Sequence, residues 1–315
     1  MKKVILIPII IGSALLLTGG IILAVGITNS TKASSYIEDE HEITDTFTNI
    51  DINVDISDVK FVKSEDGKSK IVVKETEKQR HEYTVSDNTL SIKYVDERKW
   101  SEKMFSWQTL KVTVYLPAGN YGDLKMDTDT GDTEIPNDFT FNSVNYTGHT
   151  GDFTLSSNVT GLLKTKITTG DISFANMNAN DIEIRGGTGK ISLENVNVAE
   201  KIYTKNSTGS AKFKNAHAKK LEAHASTGNI TLTDTIMSEQ IWIETSTGNV
   251  KFVDSDSIDI HVETSTGDVT GTLLTGKVFT YDTSSGKHNL PPHDVSGGTF
   301  YAKTSTGDII IKIKA

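Results

Sequence analysis

Thr245-Ser246-Thr247-Gly248-Asn249-Val250-Lys251-Phe252 is echoed directly downstream by Thr264-Ser265-Thr266-Gly267-Asp268-Val269-Thr270-Gly271. The likeness extends over most of the chain. A Thr-Gly or Ser-Gly pair recurs at Gly131, Gly151, Gly170, Gly189, Gly209, Gly228, Gly248, Gly267, Gly286 and Gly307, a near-constant period that marks a repeat architecture. Other columns align on these glycines. Seven residues earlier stand Leu124, Val144, Leu163, Ile182, Ile202, Leu221, Ile241, Ile260, Phe279 and Phe300, all apolar. Four residues later the column is again apolar, from Ile135 and Leu155 to Leu290 and Ile311, with Gly271 the one exception. Polar residues alternate between the inward ones, which is the pattern of strands buried on one face.

The glycine supplies a turn where φ can be positive, and Asp or Asn often follows it, as at Asp132, Asp171, Asn229 and Asp308. Six residues after the glycine, Asn137, Asn176, Asn195, Asn215, Asp234 and Asp254 mark a second bend. Each repeat is therefore strand, glycine turn, strand and Asn/Asp bend. One such unit cannot bury its apolar side alone, so neighbours must stack. Leucine-rich repeats require an L-x-x-L-x-L pattern that is missing here, and consecutive hairpins need no constant coil length. The expectation is an all-β parallel β-solenoid of about ten coils over residues 121–315. At about 4.8 Å per layer, it makes a rod of roughly 45–50 Å.

Residues 43–120 read as a β-rich lead-in that starts and caps the solenoid. Strand patterns run through Ile50 to Ile56, Lys70 to Lys74, Tyr83 to Val85, Leu90 to Val95 and Leu110 to Leu116, with turns at Asp66-Gly67 and Asp87-Asn88. Residues 34–42 read as a polar spacer. At the other end, Lys312 and Lys314 interrupt the apolar Ile309-Ile310-Ile311 run and are expected to guard an open sheet edge.

Val4 to Ile27 is an uninterrupted uncharged and mostly apolar stretch behind Lys2 and Lys3. At about 1.5 Å per residue it matches the roughly 30 Å core of a bilayer. A cleaved signal peptide has a shorter apolar region, and cleavage sites here are poor. The expectation is an uncleaved transmembrane signal anchor within residues 1–33, its amino terminus inside, with residues from about 34 to 315 extracytoplasmic.

The anchor, the strand-rich lead-in closing on Lys111-Val112-Thr113-Val114-Tyr115-Leu116-Pro117, and the repeated S-T-G-D/N units occur together. This combination resembles a bacterial β-strand-repeat family that carries the adhesin name without an established function and is common in Gram-positive envelopes. The resemblance covers roughly residues 43–315. It implies an accessory or sensing role in cell-envelope stress for some members, and it brings no catalytic residues.

The chemistry of the chain narrows its function. Thirty-two basic and 41 acidic residues leave a net charge of −9, which argues against a nucleic-acid partner. The absence of Cys excludes a thiolate metal site, a Cys nucleophile and a lipobox anchor. No cofactor, metal ligand or catalytic residue is assigned. The eight histidines show no ligand spacing, and the Ser of each Ser/Thr-Gly-Asp unit reads as a turn former. Asp127-Thr128-Asp129-Thr130-Gly131-Asp132 departs from the EF-hand spacing, and Asp254-Ser255-Asp256 is equally discounted. Asp132, Asp152 and Asp171 are placed to stack as an acidic ladder.

One segment departs from the pattern. Trp100, Met104, Phe105 and Trp107 lie among the charges of Asp96 to Gln108. They are the candidate binding loop, against the simpler reading that these rings plug the end of the core. The functional expectation is a membrane-anchored, non-catalytic envelope binding or adhesin-like protein whose partner is a cell-wall glycan or an envelope protein. A carbohydrate-active solenoid enzyme and a structural spacer are the alternatives.

Overall fold

The computed structural model describes residues 36–103 and 109–315. The expected anchor at 4–27 lies outside them, and among the described residues no helix is long and apolar enough to cross a membrane.

The alternating columns become strands of one continuous, mostly parallel sheet wound into coils. Gly119–Thr130 pairs in register with Phe139–Thr150, and that strand pairs in turn with Asn158–Thr169. The short strands after the glycines stack likewise, Thr133–Ile135 on Phe153–Leu155. Residues of the inward columns, such as Leu163, Ile182, Ile202, Phe213 and Ile241, are buried to within about 1 % and form one axial core. The second bend forms as the sequence implies, because Asn176, Asn195, Asn215, Asp234 and Asp254 hold φ between 48° and 55°. Asn and Asp tolerate that left-handed region better than other L-residues.

The described residues of the lead-in form seven strands: β1 (Ile37–Ile43), β2 (Asn49–Val54), β3 (Ser57–Lys63), β4 (Ser69–Glu75), β5 (Gln79–Ser86), β6 (Thr89–Asp96) and β7 (Leu110–Leu116). It is more than a cap. β2 and β3 pair in parallel with Gly119–Thr130 and Thr133–Ile135, so they already form a solenoid layer. β6 and β7 then stack on the far side of β2 and β3. The capping function belongs to β5, antiparallel to β6 through the Asp87-Asn88 turn, and to β4, antiparallel to β7. The stretch expected as a polar spacer is not one: from Ile37 it forms β1, antiparallel to β4. Its side chains are mainly exposed, so hydrophobic patterning carries no trace of it.

The far end departs from chain order. Asp259–Thr266 pairs with Thr299–Thr306, and only then does Val278–Ser285 follow. The Gly307 coil is thus inserted between the Gly267 and Gly286 coils, and the Gly286 coil is outermost. The expected edge at Ile309–Lys314 is consequently interior, with Ile309–Ile313 paired to Val269–Leu273 on one side and His288–Asn289 on the other. Burial accounts for the order. The inserted coil brings Phe300, Ala302 and Ile309 to 0 % exposure, while the outer coil carries Tyr281 at an inward position yet leaves it 43 % exposed. The more apolar coil gains more from the interior place.

Candidate functional site

The repeated S-T-G-D/N unit is a set of bonds between coils. Turn glycines donate their N–H to the carbonyl of the residue before the glycine of the adjoining coil, as from Gly228 to Thr247 at 2.9 Å and from Gly248 to Thr266 at 2.9 Å. At Gly248, φ is +153°, and a Cβ there would overlap the Gly228 carbonyl oxygen. In some coils a polar side chain three residues before the glycine caps the glycine carbonyl of the adjoining coil: Thr264 donates to Gly248 at 3.2 Å, Thr304 to Gly267 at 3.0 Å, and Asn206 to Gly189 at 2.8 Å. Asn206 thus does at its coil what Thr264 and Thr304 do at theirs.

The residue after the glycine completes the set. Asp132 Oδ1 accepts the Asp152 N–H at 2.8 Å, Asp152 accepts that of Asp171 at 2.7 Å, and Asp171 accepts that of Lys190 at 2.7 Å. The acidic ladder foreseen in the sequence exists, and backbone donors from the next coil offset its like charges. Among the described residues no group of three or more His, Asp or Glu is arranged to hold a metal ion. Asp254 is engaged by Lys314 at 2.8 Å and Asp256 by Lys277 at 2.7 Å.

The loop singled out by its aromatics is described only in part. Trp100 begins α1 (Trp100–Lys103) and is 76 % exposed, so it does not plug the core. Met104, Phe105 and Trp107 lie outside the described residues. The root of the loop is tied by Asp96, whose carboxylate accepts from Arg98 Nε at 2.9 Å and Nη2 at 2.8 Å and meets Lys103 Nζ at 3.1 Å. Those bonds, Arg98's foremost, hold the Asp96 carboxyl well below the usual carboxylate range. Nearby Asp55 is pushed the other way, first by partial burial and then by Asp129 and Asp96.

Two constellations are visible only in the fold. Ser57 sits where later coils place glycine, and its Oγ lies 2.8 Å from His81 Nε2, while His81 Nδ1 lies 3.2 Å from Glu75 Oε2. The order of atoms is that of a nucleophile, base and acid relay. Ser57 has no exposed surface, however, and the His81 side chain is 1 % exposed. Burial pushes the His81 imidazole below its ordinary value, with the Glu75 contact opposing. The arrangement ties β3, β4 and β5 together and offers a substrate no approach. Its three members stand on three different strands with no motif around any of them, which left it invisible in the sequence.

The second constellation lies on the solvent face of the long strands. The column six residues before each glycine reads Tyr203, Glu222, Trp242, His261 and Tyr301 on five adjoining coils. Trp242 and His261 stack at 3.8 Å between ring centroids with planes 7° apart, and His261 meets Tyr301 at 4.8 Å and 31°. Glutamates lock these rings at their edges: Trp242 Nε1 donates to Glu244 at 2.8 Å, and His261 Nε2 lies 3.0 Å from Glu263. His224 lies between Glu222 at 2.8 Å and Glu244 at 3.0 Å. Aligning outward columns as carefully as inward ones would have put Trp242 and His261 side by side.

The model of the family described as Toastrack DUF4097 matches residues 47–312. No functionally curated protein matches the chain. Among solved structures, one named "putative adhesin" from Bacteroides fragilis is similar at 15 % identity, covering 89 % of this chain and 98 % of its own, with a TM-score of 0.46. A "putative lipid binding protein" from Parabacteroides distasonis is similar at 17 % identity, covering 75 % of this chain and 98 % of its own, with a TM-score of 0.49. A "putative cell adhesion protein" from Clostridium sporogenes has 12 % identity, covers 89 % of this chain and 100 % of its own, and has a TM-score of 0.22.

Proposed function

Because the chain belongs to the Toastrack DUF4097 family, we propose that it is a single-pass, membrane-anchored extracytoplasmic rod that binds an envelope component and performs no catalysis. An adhesin-like or envelope-stress accessory role follows from that reading. The apolar stretch 4–27 behind two lysines supports the anchor and the external placement of the solenoid. The observation that carries the binding role is the ordered outer face of the long strands. There, rings and carboxylates are fixed in register over several coils, whereas turn side chains such as Thr264, Thr304 and Asp132 are engaged in bonds between coils. Repeat proteins bind through such extended faces. The burial of Ser57 speaks against the hydrolase-like arrangement found among the described residues.

The test is capture of cell-envelope material by the purified chain, compared with Trp100→Ala/Trp107→Ala and with Trp242→Ala variants of matched melting. Specific capture by the parent supports a binding module, and the variant that loses it locates the contact. If the parent captures nothing, the binding reading is wrong.

A further inference from the structure

We propose that the stripe formed by Tyr203, Trp242, His261 and Tyr301, with Glu222, Glu244 and Glu263, is the binding site for a neutral glycan chain lying along the solenoid axis. The inference rests on the binding role above and names its ligand and its place.

The face is built of strands laid side by side, so a ligand on it must be extended and touch several coils in turn. From the Gly209 coil to the Gly307 coil the stripe spans four steps of about 4.8 Å, or roughly 20 Å. Its strands are paired on both sides, as Ile236–Thr247 is between Ala211–Thr227 and Asp259–Thr266. A peptide strand therefore finds no free backbone edge to extend. What faces outward is aromatic edge, carboxylate and lysine ammonium.

Charge decides the class of ligand. Along these outward columns Lys201, Lys205, Lys220 and Lys303 balance Glu222, Glu244, Asp259 and Glu263. Lys201 is paired with Glu222, whose carboxyl is held below its ordinary value, while Lys205 and Lys303 flank His224 and Glu263 in register. A polyanion would meet the carboxylates, and a polycation the lysines. A neutral chain rich in hydroxyl donors meets neither obstacle. Ionised carboxylates only accept hydrogen bonds, and each oxygen that takes one internal bond keeps capacity for another. Glu244 and Glu263 side chains are 46 % and 41 % exposed, so that capacity faces solvent. The ring edges between them supply apolar contact for the C–H surfaces of sugars.

The stripe is also preorganised. Glu244 is held by both Trp242 and His224, and His261 by both the Trp242 ring and Glu263. Side chains locked before binding lose little entropy on binding. The corresponding outward positions nearer the N-terminal end are Lys125, Asn145, Lys164 and Glu183, so the aromatic character is confined to the half of the stack farther from the expected anchor.

The experiment uses the full-length chain in a zwitterionic detergent without sugar headgroups. Trp100 and Trp107 are changed to Phe, leaving Trp242 as the reporter among the three tryptophans. Neutral β-1,4-linked N-acetylglucosamine oligomers of two to six units are titrated in. The expected result is a saturable change in Trp242 emission, with affinity rising up to about four or five units and then levelling as the oligomer exceeds the stripe. In calorimetry against the otherwise unaltered chain, Trp242→Ala is expected to weaken binding at least about tenfold. Glu244→Gln, which keeps the shape of the side chain, is expected to weaken it about threefold or more, and Lys166→Ala, on the same face outside the stripe, leaves it unchanged. Absence of oligomer binding, or binding that Trp242→Ala and Glu244→Gln both leave intact, overturns the proposal. Envelope capture separates the two levels. Capture that survives Trp242→Ala refutes the stripe and keeps the binding role, whereas a parent that captures nothing refutes both.

Discussion

The two ends of this solenoid solve one problem in different ways. Both must close a stack whose last layer would otherwise expose its core and a row of unpaired backbone groups. At the N-terminal end the outermost layer, β6 and β7, is covered by the antiparallel strands β5 and β4, and β1 extends that cover. At the C-terminal end no such strands are added among the described residues. A coil with polar, exposed positions is placed outermost, and the chain doubles back to slide the apolar Gly307 coil beneath it. The N-terminal end is closed by extra structure, the C-terminal end by order of stacking. Each closure contains a buried polar junction: Ser57–His81–Glu75 at one end, Asp256–Lys277 at the other.

The C-terminal junction should be the more sensitive. Lys277 is 1 % exposed and joins the Asp256 carboxylate at 2.7 Å, Thr275 Oγ1 at 2.9 Å, the Ser257 carbonyl at 2.6 Å and the Gly297 carbonyl. It thereby ties the loops through which the chain leaves and re-enters the stack. Lys277→Met strands the Asp256 charge and should cost about 3–5 kcal/mol in urea unfolding, with hydrogen exchange rising first in residues 259–313. Adding Asp256→Leu should recover much of that loss. A neutral Lys277→Met would mean that the ladder alone holds the inserted coil, and the contrast between the ends would fall.

Between the ends, coil stacking sets the scale. Gly248→Ala places a Cβ against the Gly228 carbonyl at a φ unsuited to L-residues and should cost about 3 kcal/mol. Gly119→Ala, with nothing within 4 Å of the added atom, should change the unfolding midpoint little. Equal effects would show that the turn column carries no special constraint.

The smallest effect belongs to the N-terminal junction and is read by pH. Burial lowers the His81 pKa in the folded chain, so the unfolded chain takes up the proton first as pH falls through about 6.5. The contribution of neutral His81 is full above that pH and declines below it, by at most about 1.4 kcal/mol per pH unit, until the lower folded pKa is reached. The slope should vanish in His81→Gln. A parent whose stability is flat from pH 7 to 5 would show that His81 is not held neutral by burial.

The middle of the molecule was legible because ten copies repeat the same physical demands. The inward apolar columns, the glycine turn and the Asn/Asp bend each recur from coil to coil, and the strands, positive φ values and core follow them. Where a demand is met once, the reading stopped short. β1 is polar and exposed, β2 and β3 lack a glycine between them, and the insertion of residues 299–313 leaves no local mark. The candidate site was missed for a related reason. Trp100 drew attention through its unusual neighbours, whereas Trp242 looks ordinary until His261 and Tyr301 are brought beside it.

Sequence alone determined the coil, because local turn chemistry and period-two burial act within a single repeat and recur in the next. Only the tertiary structure decided which coil lies next to which at the ends and which outward side chains share a column across coils. Those choices compare the burial of segments far apart in the chain, and the order they produce carries no local signature.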